Sequence, residues 1–359
     1  MRRRIFLIVL LIFMLVVLAV LAGLFVVLRS AAEAPPAVQS PGLKTIRSIY
    51  GWGKNPDELL QEPFSIVWRN GSLFVGDKAV SQVIQLTPEG GLVAKYGTKG
   101  RGPEEVWSVS GLEVDEQGNV YIADGGHEKV VVYGPDGSFV RQAAIEGSPL
   151  ALLLSGNLMY ATTNSSVKVL QMPEMNELRS WGSRGKGTEQ FDYPNGLALD
   201  VQTSVLYVAD GNNHRAKALD QQGNVLWIYG TPPESMNDSK VLFGLAGTAA
   251  FADGYLFVTD PLDSVVHILD AEGTKVAQVG DVGQADGLFY YPAGITHMGG
   301  KRFAIAEWGN SRIQIVEIDV PAAIEEWQRT RPADSGAVTP STEASSLPAP
   351  EGGTTSTSE

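Results

Sequence analysis

Short segments in which apolar and polar residues alternate run through most of the chain. RIQIVEI at 312–318 is an example, and this alternation is typical of a β-strand with one buried face. Turn signals separate many of these segments, because glycine readily adopts the positive φ of a tight turn. These signals are Asn70-Gly71, Gln117-Gly118, Asp136-Gly137, Gln222-Gly223, Asp253-Gly254 and Glu272-Gly273. The pattern predicts an all-β chain of antiparallel hairpins.

A strand that ends in a carboxylate recurs along the chain, as in YVAD at 207–210. Successive carboxylates are 47, 86, 50 and 47 residues apart, so the long interval hides one further unit. LMYATTNSSVKVLQM, from Leu158, fills that interval with threonine in place of the carboxylate. The recurring carboxylates are Asp77, Asp124, Asp210, Asp260 and Glu307. The repeat therefore predicts six similar units.

Six four-stranded units can bury their faces by stacking radially around an axis. Small residues begin the first strand of each unit, as expected where strands converge: Ser65, Gly111, Ala151, Gly196, Gly247 and Gly294. The last unit stops after its third strand, at about Asp319, and LKTIRSIYG at 43–51 resembles the outer strands of other units. We expect residues 43–51 to supply the fourth strand of the last blade, which closes the ring and removes exposed sheet edges.

The repeated units resemble NHL repeats. The family pattern is a glycine-rich lead-in, Pro-x-Gly, a hydrophobic strand, Val-Ala-Asp and then Asn-x-Arg-Ile, and residues 193–230 match it most fully. Residues 110–142 and 291–319 also match, and the resemblance covers roughly 43–319. It implies a six-bladed β-propeller of four-stranded antiparallel blades. A fold of this kind says little about chemistry.

The N-terminal segment has the composition of a membrane element. Three consecutive arginines in 1–4 precede residues 5–28, which contain no charge, proline or polar side chain. As a helix this run is about 36 Å long, enough to cross a hydrocarbon core of about 30 Å. It predicts an uncleaved signal anchor with residues 1–4 in the cytoplasm and the propeller outside, in a bacterial cell membrane. The alternative is cleavage near Ala34, which would release the protein.

The remaining boundaries follow from composition. Residues 29–41 are rich in alanine and proline and predict a short spacer, and residues 42–320 contain the repeats. Residues 321–359 are predicted to be a short segment followed by a disordered tail rich in serine, threonine and proline. The chain has no cysteine, which excludes disulfides and thiolate chemistry and is more natural for a bacterial exported protein than for a eukaryotic one. Its net charge of −13 disfavours nucleic acid as a partner.

The recurring carboxylates and the histidines are the first candidates for chemistry. Recurrence at equivalent positions favours a structural role, in which each carboxylate accepts hydrogen bonds from backbone N–H groups of its loop, and cation binding is the alternative. The histidines show no spacing typical of a metal cage: His127, His214, His267 and His297. WGSRGKGT at 181–188 lacks the spacing of a phosphate-binding loop. The sequence predicts no cofactor and no catalytic residue.

The resemblance also implies an alternative function, because some enzymes of this fold bind a metal ion near the axis. Beside its small axial residues this chain places Phe64, Ser110, Leu150, Asn195, Ala246 and Ala293. Only two of these are polar, whereas hard cations require several converging oxygens. A divalent cation at the axis is therefore disfavoured. A metal-dependent hydrolase or lyase acting at the axial mouth is kept as the alternative.

Aromatic residues in the loops between units are candidates for recognition. Loops on a rigid scaffold often carry function, and exposed aromatic residues anchor interfaces. The alternative is that these rings hold neighbouring blades together. The predicted binding residues are Arg101, Trp107, Lys186, Tyr193, Asn195, Tyr291 and Trp308. The sequence thus predicts a membrane-tethered, extracytoplasmic binding or scaffold propeller that recognises a protein, a peptide or a wall glycan.

Overall fold

The computed structural model describes residues 40–232, 234 and 242–330. Within these residues the strands form six separate four-stranded antiparallel sheets, as the repeat predicts. The predicted membrane segment at 5–28 and the tail from 331 lie outside the described residues. None of the helices in the described part of the chain combines the length and apolar character that a membrane crossing requires.

The first strand of the chain is β1 (Leu43–Ile49), and the first three blades follow it one after another along the chain. Blade 1 contains β2 (Pro63–Arg69), β3 (Ser72–Asp77), β4 (Gln82–Leu86) and β5 (Leu92–Tyr96). Blade 2 contains β6 (Val109–Val114), β7 (Val120–Asp124), β8 (Lys129–Tyr133) and β9 (Phe139–Ala144). Blade 3 contains β10 (Leu152–Ser155), β11 (Leu158–Thr162), β12 (Val167–Gln171) and β13 (Asn176–Trp181).

The second half of the propeller repeats this arrangement. Blade 4 contains β14 (Pro194–Asp200), β15 (Val205–Asp210), β16 (Arg215–Leu219) and β17 (Val225–Gly230). Blade 5 contains β18 (Ala249–Ala252), β19 (Tyr255–Asp260), β20 (Val265–Asp270) and β21 (Lys275–Val279). Blade 6 contains β22 (Pro292–Gly299), β23 (Arg302–Glu307), β24 (Arg312–Ile318) and, as its outermost strand, β1.

The ring closes through the pairing of β1 with β24. Leu43 lies opposite Ile318 and Ser48 lies opposite Gln314 in an antiparallel register. The Ser48 hydroxyl also donates a hydrogen bond of 2.5 Å to Asp286, in the loop that leads into blade 6. The N-terminal segment thus supplies the missing fourth strand, as the sequence predicts.

The middle strands of the blades are buried on both faces. All five residues of β8 are buried, and so are six of the seven residues of β24, the strand whose alternation suggested one buried face. The outermost strand β13, in contrast, is almost wholly exposed. The prediction of one buried face was therefore wrong for the middle strands, because each blade is covered on both sides by its neighbours.

Glycines permit the close approach of neighbouring blades at the axis. A Cβ on Gly111 would lie 2.2 Å from the carbonyl oxygen of Leu150, and one on Gly196 would lie 2.6 Å from the Cα of Thr248. Real Cβ atoms do not approach other heavy atoms this closely. The small residues at the start of the first strands are therefore required by packing between blades.

A helix, α1 (Val320–Thr330), follows the last strand. Ala323 is buried in the core that blades 5 and 6 share, with Ile324 and Trp327 packed against the same core. The Nζ of Lys275, on β21, lies 4.5 Å from the centre of the Trp327 ring. The sequence pattern predicts no secondary structure for this segment, because its short apolar stripe is recognisable only beside the surface that it covers.

The propeller has two faces, which we name by their loops. The lead-in face carries the loops that enter each blade and the loops that join second and third strands, and the hairpin face carries the remaining turns. Leu43 enters the ring at the hairpin face, since its partner Ile318 donates a backbone hydrogen bond to Lys301, beside the turn at Gly300.

Candidate functional site

Five of the six lead-in loops are each fastened by the carboxylate of their own blade. Asp77 accepts hydrogen bonds from the backbone N–H groups of Gln61, at 2.8 Å, and Glu62, at 3.1 Å. Asp124 accepts equivalent bonds from Trp107 and Ser108, at 3.0 and 3.1 Å. All five recurring carboxylates are fully buried and accept at least one such bond: Asp77, Asp124, Asp210, Asp260 and Glu307. These are the contacts expected of a structural role.

Buried cations on the third strands of blades 4 and 6 also donate hydrogen bonds to the lead-in loops. In blade 4 the Arg215 guanidinium donates to Asp210 at 2.9 Å and to the carbonyls of Lys186 and Gly187 at 2.9 and 2.8 Å. Lys217 is also buried and donates to the carbonyl of Thr188 at 2.8 Å, and burial lowers its pKa to about 7. The glycine-rich segment WGSRGKGT therefore wraps around two cations of its own blade.

Blade 6 repeats this arrangement with a larger network. The Arg312 side chain is fully buried and donates to Glu307 at 2.7 Å, and to the carbonyls of Gln284 and Leu288 at 2.7 and 2.9 Å. It also donates to the hydroxyl of Tyr50, just after β1, at 3.2 Å. Arg312 thus connects the lead-in loop of blade 6 to the segment that closes the ring.

Blade 5 has His267 at the position that Lys217 occupies in blade 4. His267 lies 3.2 Å from Asp260, which also accepts the backbone N–H groups of Gly244 and Leu245 at 2.7 and 3.0 Å. With Asp263 these residues form the one group of three metal-ligating side chains found in the described part of the chain. Burial and the neighbouring Asp260 raise the pKa of Asp263. Asp260 and His267 occupy the place of the Asp210–Lys217 pair in blade 4 and do not line the axial channel, so we assign the group a structural role.

His267 makes stability depend on pH. Burial lowers its pKa from 6.5 to about 4, so the folded protein keeps it neutral while the unfolded chain protonates below about 6.5. Its contribution is present above pH 6.5 and is lost as pH falls from 6.5 to 4, by up to about 3 kcal/mol. We expect His267→Gln to flatten the decline of the melting temperature across this window. His297→Gln is the control, and an equal slope in all three proteins would contradict the prediction.

Aromatic side chains project from loops of the lead-in face. The exposed fractions are 43% for Trp107, 39% for Tyr193, 49% for Tyr290 and 40% for Trp308. Tyr291 is half-buried and meets Trp308 edge to face, with ring centres 4.8 Å apart. The predicted aromatic residues thus lie on one face but in separate blades, 2, 4 and 6.

The predicted polar residues are less uniform in position. Arg101 is exposed, and its guanidinium carbon lies 5.1 Å from the centre of the Trp107 ring. Lys186 is exposed on the lead-in loop of blade 4. Asn195 instead lies in the axial channel, where its amide is 3.5 Å from the carbonyl oxygen of Ala246. The structure therefore separates Asn195 from the other predicted binding residues.

The axial channel has a volume of about 320 Å³ and is lined by the first strands of all six blades. The Thr248 hydroxyl donates to the carbonyl of Ala293 and accepts from the N–H of Ile295, both at 3.0 Å, which joins blades 5 and 6. Towards the hairpin face, Arg69 lies 3.4 Å from Glu113, whose pKa is raised by burial. These polar groups connect neighbouring blades, and sequence reasoning missed the Arg69–Glu113 pair because its members are 44 residues apart.

The chain is similar to several proteins of known structure. No curated protein matches the chain. A structure of a protein of unknown function from Bacteroides thetaiotaomicron is similar with a TM-score of 0.59 and 18% identity, over 79% of this chain and 77% of that one. Virginiamycin B lyase from Staphylococcus aureus, in a catalytically inactive form with quinupristin, is similar with a TM-score of 0.52 and 13% identity, over 79% and 89% of the two chains.

Hydrazine synthase from Kuenenia stuttgartiensis has a TM-score of 0.50 and 14% identity, over 75% of this chain and 98% of that one. At these identities the likeness shows the fold alone. Residues 55–178 match the family model DUF5128, which is described as a six-bladed β-propeller.

Proposed function

We propose that this protein is a binding or scaffold propeller whose lead-in face recognises a partner protein through an extended peptide segment. The observation that carries the proposal is the group of exposed aromatic side chains on loops that buried carboxylates and cations hold in place. We assign its repeats to the NHL type, on the motif at 193–230. We also propose that residues 5–28 tether it to a bacterial cell membrane, with the propeller outside.

The lead-in face has the properties of a pre-organised interface. Trp107 and Trp308 are both at least 40% exposed, although burying a large aromatic side chain is favourable. The backbone N–H of Trp107 is bonded to Asp124, and that of Trp308 to the carbonyl of Tyr291 at 3.1 Å. A face held in this way loses little conformational entropy when a partner binds. Aromatic anchors of this kind commonly contribute about 2 kcal/mol or more to binding.

The proposed membrane tether lowers the affinity that the binding face needs for its partner. The first strand, β1, begins at the hairpin face, opposite the loops of the lead-in face. Confinement to a membrane raises the effective concentration of both molecules, so a modest affinity suffices. The acidic character of the chain, with a net charge of −13, supports a partner other than nucleic acid.

Capture from detergent-solubilised membranes tests the proposal. We expect the full chain to capture a defined partner, and Trp107→Ala or Trp308→Ala to weaken that capture about 30-fold, the equivalent of about 2 kcal/mol. The matched control is Leu226→Ala on the outer strand β17, which is also 42% exposed and lies away from the lead-in loops. An unchanged set of captured partners in both tryptophan variants would refute the choice of face.

A second arm identifies the chemistry of the partner. The capture is repeated after the membrane and wall fraction has been treated with protease. A protein partner disappears after this treatment, whereas a wall glycan persists. Persistence of a partner that still depends on Trp308 would replace the peptide with a glycan as the ligand of this face.

A further inference from the structure

Lys78 carries a charge that the described residues leave without an anion. Its Nζ lies 3.1 Å from the centre of the Phe64 ring. Among the residues that the structure describes, no carboxylate lies within 4.0 Å of this ammonium group and no acceptor forms a hydrogen bond with it. The side chain is half-buried, so water replaces these partners only in part.

Other cations near the lead-in loops are satisfied differently. Lys129 donates to the carbonyl of Gly102 at 2.8 Å, and Lys99 donates to that of Ala79 at 3.2 Å. Arg215 and Arg312 each make a full set of bonds to carbonyls and a carboxylate. Lys78 is therefore not one of the cations that fasten these loops.

The repeat does not require a cation at this position. The residue directly after the recurring carboxylate is Lys78 in blade 1, whereas the equivalent residues are Gly125, Gly211, Pro261 and Trp308. Glycine, proline and tryptophan at the same place show that the loop folds without a charge there. The lysine thus adds a property to blade 1 that the scaffold does not need.

The surroundings of Lys78 weaken its hydration. Burial lowers the pKa of Lys78 to about 8, and the charge of Glu62 raises this pKa in part. A cation–π contact with the face of Phe64 compensates in part for the hydration that the ammonium group loses. At neutral pH the group is still largely charged, and an anion that reached it would gain a charge-assisted hydrogen bond.

Lys78 lies in the loop between the second and third strands of blade 1, where this loop meets blade 2. The Ser81 hydroxyl of the same loop donates to the carbonyl of Trp107, in the lead-in loop of blade 2, at 2.7 Å. The Trp107 side chain is 43% exposed. A cation and an exposed tryptophan therefore lie on two loops of the lead-in face that are bonded to each other.

We propose that Lys78 is the anion-recognition point of the lead-in face and that it binds an aspartate or glutamate carboxylate of the partner peptide. An apolar side chain of the same peptide then packs on Trp107. This inference rests on the proposed function and specifies its ligand as an acidic peptide. On a chain with a net charge of −13, such a cation restricts where an acidic segment can dock, which gives orientation as well as affinity.

The amine signal of Lys78 tests the site without the natural partner. The lysines of the full chain are dimethylated with ¹³C, and the Lys78 signal is assigned by its absence in Lys78→Arg. The probes are the acetylated and amidated peptides Gly-Glu-Trp-Gly and Gly-Gln-Trp-Gly. We expect the glutamate peptide to shift the signal and to raise the pKa of Lys78 by about one, and the glutamine peptide to do neither. Equal effects of the two peptides, or no effect of either, would overturn the proposal.

Capture of the natural partner supplies the second test. We expect Lys78→Gln to weaken capture about 10-fold and Lys78→Arg to retain it, since arginine keeps the charge. Lys95→Gln is the matched control on the same blade, since Lys95 is exposed on the outer strand β5. If the tryptophan variants lose the partner while Lys78→Gln keeps it, the acidic-peptide inference fails and the binding face stands. If the tryptophan variants keep the partner, the proposed face fails, whatever the peptide titration shows.

Discussion

Arg312→Met should lower the free energy of unfolding by about 3–5 kcal/mol, the usual cost of removing one member of a buried ion pair. The Arg312 side chain is fully buried, and its partner Glu307 is buried as well. Methionine fills part of the volume but leaves the Glu307 carboxylate without its cation. It also leaves the carbonyl of Gln284 without the donor that Arg312 supplies. Urea unfolding followed by circular dichroism measures the loss.

Two further variants separate the causes of this loss. In Arg312→Met combined with Glu307→Gln, no charge is left unpaired, so we expect part of the stability to return. Arg329→Met on the surface of α1 removes an arginine that pairs with Glu326 in solvent, and it should change stability little. A loss in Arg312→Met no larger than that in Arg329→Met would contradict the role of this network in closing the ring.

A disulfide between positions 44 and 317 should raise the free energy of unfolding by up to about 5 kcal/mol, because it closes a loop of roughly 270 residues. Lys44 lies directly opposite Glu317 in the register of β1 and β24, and the two exposed side chains form an ion pair at 3.6 Å. The chain contains no other cysteine that could compete. We expect Lys44→Cys combined with Glu317→Cys to oxidise spontaneously and to raise the urea midpoint until a reductant is added.

The geometry of the ring supplies the control for this experiment. Glu174 belongs to blade 3, so Lys44→Cys combined with Glu174→Cys should stay reduced within one chain. Two cysteines form a disulfide without backbone movement only when their Cα atoms lie within about 7 Å. Failure of the 44–317 pair to oxidise, or equal oxidation of both pairs, would show that β1 is not the closing strand.

Most of the propeller could be predicted because the information is local and repeated. A turn glycine, a carboxylate at the end of a strand and a small residue at the start of the next recur at nearly constant spacing, so each unit supports the prediction of the others. Only the weakest unit, blade 3, lacks the carboxylate and has threonine in its place. The helix α1 was missed because it occurs once, outside the repeat.

The candidate site was harder to predict, because exposure depends on the neighbouring blade. The sequence placed Trp107 and Asn195 in the same predicted set, yet the first is exposed on the lead-in face and the second lines the axial channel. Lys78 gave no signal in the sequence, since a lysine after an aspartate is common in loops. Lys78 stands out only in the folded structure, where no described carboxylate lies within 4.0 Å of its ammonium group.

The sequence by itself determined the number of blades, their turns, their axial small residues and the segment that closes the ring, since these follow from periodicity and from backbone geometry. Only the tertiary structure decided which charged residues are buried. Arg215 and Lys217 have the character of surface residues of a strand, yet both are buried against carbonyls about 25 to 30 residues earlier in the chain. The physical reason is that a charge can be buried only where distant groups converge to replace its water, and that convergence is a property of the folded ring.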